Sequence, residues 1–259
     1  MARPASTTQQ PAEHEHEHVR LLREREPPIK VAGFLRPRPA ATLMLLDRTG
    51  PEPTVLMGRR NPAVKFMPGK FVFPGGRIEP GDRRMSVAGA LPEPVADKMN
   101  KLRGSRVPDM ARALALAAIR ETFEETGLLL GTKEYGAPAD PPAGAWTDFA
   151  ARGVYPDLES VSFVARAITP PGRARRFDAC FLVMETSAIV DQAENVIGPD
   201  SELVELVRVP LQEAMQLDLP LITLVVLREL EKRLAAGMGH HLPTPLFRER
   251  HRKWVREEL

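Results

Sequence analysis

The segment from Asp109 to Gly127 admits one consistent reading, a single helix, and the rest of the chain has to be arranged around it. Pro108 and Asp109 supply a start, the interior is rich in alanine and leucine, and Gly127 suits a C-terminal cap. At about 100° per residue, with Glu121 set at zero, Glu124 falls at about −60° and Glu125 at about +40°. The three carboxylates therefore share one face, while Leu116, Ile119 and Phe123 lie on the other. Such a helix is expected to anchor its apolar side on a sheet and to present its acids elsewhere. Like charges at this spacing repel by a few tenths of a kcal/mol per pair. Arg120 can pair with Glu124, but a hard divalent cation bound by carboxylate oxygens neutralises the cluster better. Mg2+ or Mn2+ is the expected cofactor, with a solvated acidic face as the plain alternative.

The apolar runs Ala41 to Leu46 and Thr54 to Met57 flank Asp47-Arg48-Thr49-Gly50-Pro51, a strand, a turn and a strand. Phe71-Val72-Phe73 runs into Pro74-Gly75-Gly76, where a donor is lost and the backbone is freed for unusual dihedrals. Further strands are expected near Val161 to Ile168, Phe177 to Met184 and Leu203 to Val209, and a helix from Leu221 to Ala235. Interleaved strands and helices give an α/β (α+β) sandwich. Residues 1–28 are polar and lack apolar periodicity, and are expected to form a flexible arm. His14 and His18 in it would share a face of a helix, a spacing that can bind metal, although a solvated tail is the simpler reading. The folded domain is expected over 29–240, followed by a C-terminal extension, 241–259.

Bulk properties narrow the class of function. A net charge of +2 on 259 residues makes no demand for nucleic acid or an anionic membrane. No run of about 20 apolar residues suggests a membrane span. Cys180 is the sole cysteine, so a reducing, cytoplasmic setting is expected, and its place in an apolar strand suggests packing. A nucleotide-like small molecule is the expected partner, with a homodimer left open.

The run Arg120-Glu121-Thr122-Phe123-Glu124-Glu125-Thr126-Gly127-Leu128 resembles the Nudix box, G-x5-E-x7-R-E-U-x-E-E-x-G-U with U aliphatic. Arg120, Glu121, Glu124, Glu125 and Gly127 all fall in place, a coincidence expected on the order of 10⁻³ or less from average composition. Three departures accompany the match. Asp82, six residues after Gly76, stands where the pattern has its first glutamate, and Thr122 replaces an aliphatic residue. Between Asp82 and Arg120 lie 37 residues where the pattern has seven. The excess, about 83–107, reads as an excursion that covers the site or meets a partner subunit and so selects substrate. An interrupted box is similar to that of the coenzyme A diphosphatase branch of the mammalian Nudix hydrolase nineteen.

The resemblance implies a Nudix α/β/α sandwich with a mixed sheet and hydrolysis of the diphosphate bond of a nucleoside diphosphate derivative, coenzyme A or acyl-coenzyme A among the candidates. It implies Glu121, Glu124 and Glu125 as metal ligands, with a loop carbonyl near Gly75. Glu124 and Glu125 rank first as catalytic groups, supported by Arg120, while Glu202 and Glu205 are outside candidates for the general base. Arg59, Arg60 and Gly76 are candidates for binding substrate, since guanidinium groups suit phosphate. Arg173, Arg175 and Arg176 could receive the 3′-phosphate of coenzyme A or simply occupy an exposed turn. Trp146, Phe149 and Tyr155 could stack on a base or anchor the core. The alternatives are an ADP-ribose, NADH or RNA-cap pyrophosphatase and, in another class, a Nudix module that senses a nucleotide without cleaving it.

Overall fold

In the chain's first half, β1 (Arg38–Asp47), β2 (Thr54–Arg60), β3 (Phe71–Val72) and β4 (Gly75–Arg77) precede α1 (Glu93–Asn100) and α2 (Met110–Thr126). There follow β5 (Leu128–Leu130), α3 (Ala145–Ala151), β6 (Ser162–Ile168), β7 (Phe177–Glu185), β8 (Ile189–Gln192) and β9 (Leu203–Pro210). The short α4 (Leu211–Ala214), α5 (Leu221–Ala235), β10 (Pro245–Arg250) and β11 (Lys253–Glu258) complete the order. This computed structural model describes residues 35–101 and 109–259, together with Val19 and Leu22. No described helix is long and apolar enough to cross a membrane.

Seven strands run in the order β11-β10-β6-β7-β1-β2-β3, with β4 beside β1 and β9 beside β2. The sheet is mixed, because β1 lies parallel to β7 and β10 parallel to β6 while the other pairs are antiparallel. Central β1 shows why its sequence is a nearly unbroken apolar run. Successive side chains alternate between faces: Ala41, Leu43 and Leu45 enter the cluster with α2, and Met44 and Leu46 enter the one with α5. A strand covered on both sides has no polar face to offer. The β1–β2 connection is held by the Asp47 carboxylate, which accepts from the Thr49 amide and hydroxyl at 2.9 and 2.7 Å.

Three expectations change. The arm was expected to contribute nothing to the core, yet Val19 and Leu22 are buried and Leu22 joins the cluster around α5. Its histidines, His14 and His18, lie outside the described residues. The segment 241–259, set apart as an extension, supplies two strands of the main sheet, β10 and β11. The insertion is built into the core: Met85, Val95 and Met99 are buried in the same cluster as Leu114 and Ala118 of α2. Lys98 donates to the His240 and Leu242 carbonyls, each at 2.6 Å, and Arg166 to that of Lys101 at 2.6 Å. A segment so tied does not behave as a detachable lid, and removing it strips one side of the helix that carries the acids. Met99→Ala is therefore expected to cost about 2–5 kcal/mol, a fall in melting temperature on the order of 10 °C. A scanning calorimetry shift below about 2 °C would show the insertion to be peripheral.

Candidate active site

The C-terminal turn of α2 is fixed before any side chain is considered. Gly127 adopts φ 78° and its amide donates to the Phe123 carbonyl at 2.7 Å, closing the helix in a left-handed cap. At the other end Asp109 makes no side-chain cap; instead Asn100 of the insertion accepts from the Ala111 amide at 3.2 Å. Leu116, Ile119 and Phe123 are buried as the helical wheel requires. Thr122 is tolerated in an aliphatic position because its buried hydroxyl donates to the Ala118 carbonyl at 2.8 Å. Glu121 and Glu125 are thereby turned toward β4 and the adjoining ends of β2 and β9, and Glu124 onto Arg120.

The two glycines of β4 let that approach occur. Gly75 pairs with Thr42 and Gly76 with Ala41 on β1. A Cβ at Gly75 would overlap the Ala41 carbonyl and Thr42, and one at Gly76 would overlap the Glu121 carboxylate. Gly76, expected at the substrate, thus makes room for an acid. Because the obstructing group at Gly76 is the end of a flexible side chain, Gly76→Ala is expected to fold while displacing Glu121. Activity should fall by about tenfold or more, as a misplacement of order 1 Å can cost. A variant with native kcat and KM would show that the Glu121 position is not needed.

Behind the acids lies a buried ion pair. Arg120 is 3% exposed and Asp82 fully buried, with Arg120 Nε donating to Asp82 Oδ1 at 2.9 Å. The remaining guanidinium nitrogens reach the Arg77 carbonyl at 2.8 Å, Glu124 at 2.6 Å and Glu121 at 3.1 Å. Asp82 also accepts from Trp146 Nε1 at 3.2 Å and the Glu79 amide at 2.7 Å. Burial alone would lower the Arg120 pKa, but Asp82, Glu121 and Glu124 outweigh it and hold the guanidinium charged. Arg120 therefore links the buried Asp82 to two of the three glutamates. Asp82 is its buried counter-ion, a role a shorter carboxylate fills.

Glu125 sits deepest. Burial first, then the charges of Glu202 and Glu121, push its carboxyl well above the usual range, against a smaller pull from Arg60 and the Gly75 amide. Its Oε2 is buried and has no hydrogen-bond partner among the described residues. Burial likewise raises the pKa of Glu121 and of Glu124, partly opposed by Arg120. Among the described residues no three acids, histidines or cysteines already converge as a metal cage, since Glu124 is turned onto Arg120. An orphaned carboxylate oxygen among mutually repelling acids is nevertheless the donor set a hard divalent cation fits.

The other candidates separate. Arg60 is mostly buried, donating to Glu202 at 2.8 Å and to the Phe66 carbonyl at 2.9 Å, and with Glu202 lies within electrostatic reach of Glu125. Arg59 pairs loosely with Glu205 at 3.7 Å, both half exposed. Arg176 is buried and donates to the Thr169 carbonyl at 3.0 Å and to that of Leu35, which makes it a loop tie. Trp146 and Phe149 are buried 5.0 Å apart, so they anchor the core, while Tyr155 packs edge-on against Tyr135. Cys180 is buried as expected. The sequence reading missed Glu79, whose charge raises Glu124, and Phe66. Glu79 stands three residues after Gly76, a signal that was present but unweighted.

No family model matches the chain. It is 29% identical to the acyl-coenzyme A diphosphatase NUDT19 of Gallus gallus over 56% of this chain and 54% of that protein. The chain thus spans about half the length of the curated relative it matches. Its fold is similar to the crystal structure of a NUDIX hydrolase from Alicyclobacillus acidocaldarius, with a TM-score of 0.57 and 25% identity over 79% of this chain and 98% of that one.

Proposed function

We propose that the chain is a Nudix hydrolase, a Mg2+- or Mn2+-dependent diphosphatase acting on a nucleoside diphosphate derivative of the coenzyme A or acyl-coenzyme A type. The observation that carries this is the acid cluster itself: three glutamates on one helix face, two aimed by a buried Arg120–Asp82 pair and the third left with an unpartnered oxygen. A protein that only sensed nucleotides would have no need to keep such mutually repelling groups. The interrupted box and the resemblance to an acyl-coenzyme A diphosphatase support the choice of substrate class.

Glu121, Glu124 and Glu125 would hold the cation, which when bound polarises diphosphate oxygens and makes water more acidic. The chain's own residues supply the rest. Arg120 keeps Glu121 and Glu124 in place as the charge of the site changes. Water adds to phosphorus as the bridging P–O bond breaks, and the proton that water loses passes to a carboxylate. Glu125, with its raised proton affinity, and Glu124, with its exposure, are the candidates, ahead of Glu202. Arg60, set between Glu202 and the glutamates, stands where it can meet the departing phosphate's charge.

Incubation with coenzyme A, ADP-ribose, NADH and capped RNA, each with Mg2+ or Mn2+, followed by mass spectrometry, tests the reading. Coenzyme A should yield 4′-phosphopantetheine and adenosine 3′,5′-bisphosphate faster than the others are cleaved. A dominant release of AMP from ADP-ribose would move the substrate class, and no turnover of any compound would overturn the activity.

A further inference from the structure

Beside the acids, two loops meet over one aromatic ring. Phe66, in the connection from β2 to β3, packs edge-on against Phe177 at the start of β7, centroids 6.1 Å apart. Two guanidinium groups lie against the same ring, that of Arg60 at 5.8 Å and that of Arg175 at 5.3 Å from its centroid. They differ in what else they hold. Arg60 is committed to Glu202 and to the Phe66 carbonyl. Arg175 is exposed, and among the described residues its contact is the ring, with no carboxylate in ion-pair distance.

The sheet sets the distance from this pair to the reaction. Phe177 pairs with Arg38 on one edge of β1, and Gly76, against which the Glu121 carboxylate packs, pairs with Ala41 on the other. Arg38 and Ala41 are about 10 Å apart along β1, and crossing from β7 to β4 adds about 10 Å laterally, so the two backbones stand about 14 Å apart, an interval that the side chains of Arg175 and the glutamates shorten from both ends. A nucleotide whose diphosphate lies at the glutamates can span that interval with its sugar.

We infer that Arg175, braced on Phe66, binds a phosphate monoester carried on the nucleoside end of the substrate. The inference rests on the reading that the substrate is a nucleoside diphosphate derivative, and it adds which decoration of the nucleoside is recognised. A guanidinium offers paired donors that match a phosphate monoester, and an aromatic face holds them in one plane before the ligand arrives. Arg60, tied to Glu202 within electrostatic reach of Glu125, is placed at the diphosphate and not at the nucleoside end. Arg176, next in sequence to Arg175, cannot serve in its place because it is buried as a loop tie.

Calorimetric binding of adenosine 3′,5′-bisphosphate and of 5′-AMP in Mg2+ tests this without requiring turnover. The native protein should favour the bisphosphate by about tenfold or more, in keeping with one charge-assisted contact. Arg175→Ala should reduce the ratio to near one with little change for AMP, Arg175→Lys should restore only part of it, and Phe66→Leu should fall between. A native protein with no preference, or an Arg175→Ala variant that keeps the full preference, would overturn the assignment. Hydrolysis of coenzyme A and 3′-dephospho-coenzyme A is measured alongside. If neither is cleaved, the diphosphatase reading fails, while the binding ratios still decide the role of Arg175.

Discussion

Glu125→Gln should lower turnover of the diphosphate substrate by at least about a hundredfold, because cation binding and transition-state electrostatics are each worth several kcal/mol at such sites. The substitution keeps shape and removes one formal charge, and the side chain it alters is not part of the apolar anchor of α2. The fold should survive. Its effect on stability should even be favourable without a divalent cation, since Glu125 is a buried carboxylate crowded by Glu202 and Glu121 with an oxygen left unpaired. Loss of kcat with an unchanged or higher melting temperature is the expected result. Native turnover in this variant would remove Glu125 from the site.

The sign of the pH dependence follows from the direction of the shifts. Glu121, Glu124 and Glu125 all have folded pKa values above the ordinary 4.5, so between 4.5 and those raised values the folded protein holds more protons than the unfolded chain. Stability from these groups is greatest at and below the lower limit, falls as pH rises through the window, and is level above it. In EDTA the melting temperature should therefore decline across this range, and less so for Glu125→Gln. Saturating Mg2+ should reverse the order at neutral pH, since a ligand at a hundred times its Kd adds about 2.7 kcal/mol to the form that binds it. Thermal scans with EDTA and with MgCl2 measure both halves.

Helical period and a glycine cap made the acid cluster legible. Glu121, Glu124 and Glu125 are neighbours whichever sheet the helix lies on, and the Pro-Gly-Gly strand end could be read from backbone freedom alone. What pairs with what across the chain was not legible. Asp82 lies 38 residues from Arg120 and 64 from Trp146, and nothing local distinguishes a buried aspartate from a solvated one. The insertion was misread for a related reason: its prolines and glycine resemble a loop, while Val95 and Met99, four apart on one helix face, do not tell which surface that face meets. The hairpin of β10 and β11 escaped because Lys253–Glu258 is a polar edge strand whose half-buried side chains do not alternate. Arg175 and Arg176 look equivalent in sequence, yet one is exposed over a ring and the other is buried among carbonyls.

Arg120→Ala should be the most damaging single change to the fold near the site, at about 3–5 kcal/mol, because it strands a fully buried Asp82 carboxylate without its partner. Asp82→Ala should cost a similar amount by leaving the guanidinium buried and only partly compensated. Both should also depress activity, which by itself would not distinguish a positioning role from a merely structural one. The double variant Asp82→Leu with Arg120→Met makes the distinction. Apolar replacement of both members of a buried pair is often neutral for stability, so much of the unfolding free energy lost in the single variants Asp82→Leu and Arg120→Met should return, with a coupling of about 1–3 kcal/mol in the cycle these three variants close with the native protein. Activity should stay low, because Glu121 and Glu124 no longer have the guanidinium nitrogens at 3.1 and 2.6 Å that aim them. Recovery of turnover together with stability would mean that the pair only holds the helix to the sheet, and that the glutamates find their geometry without it.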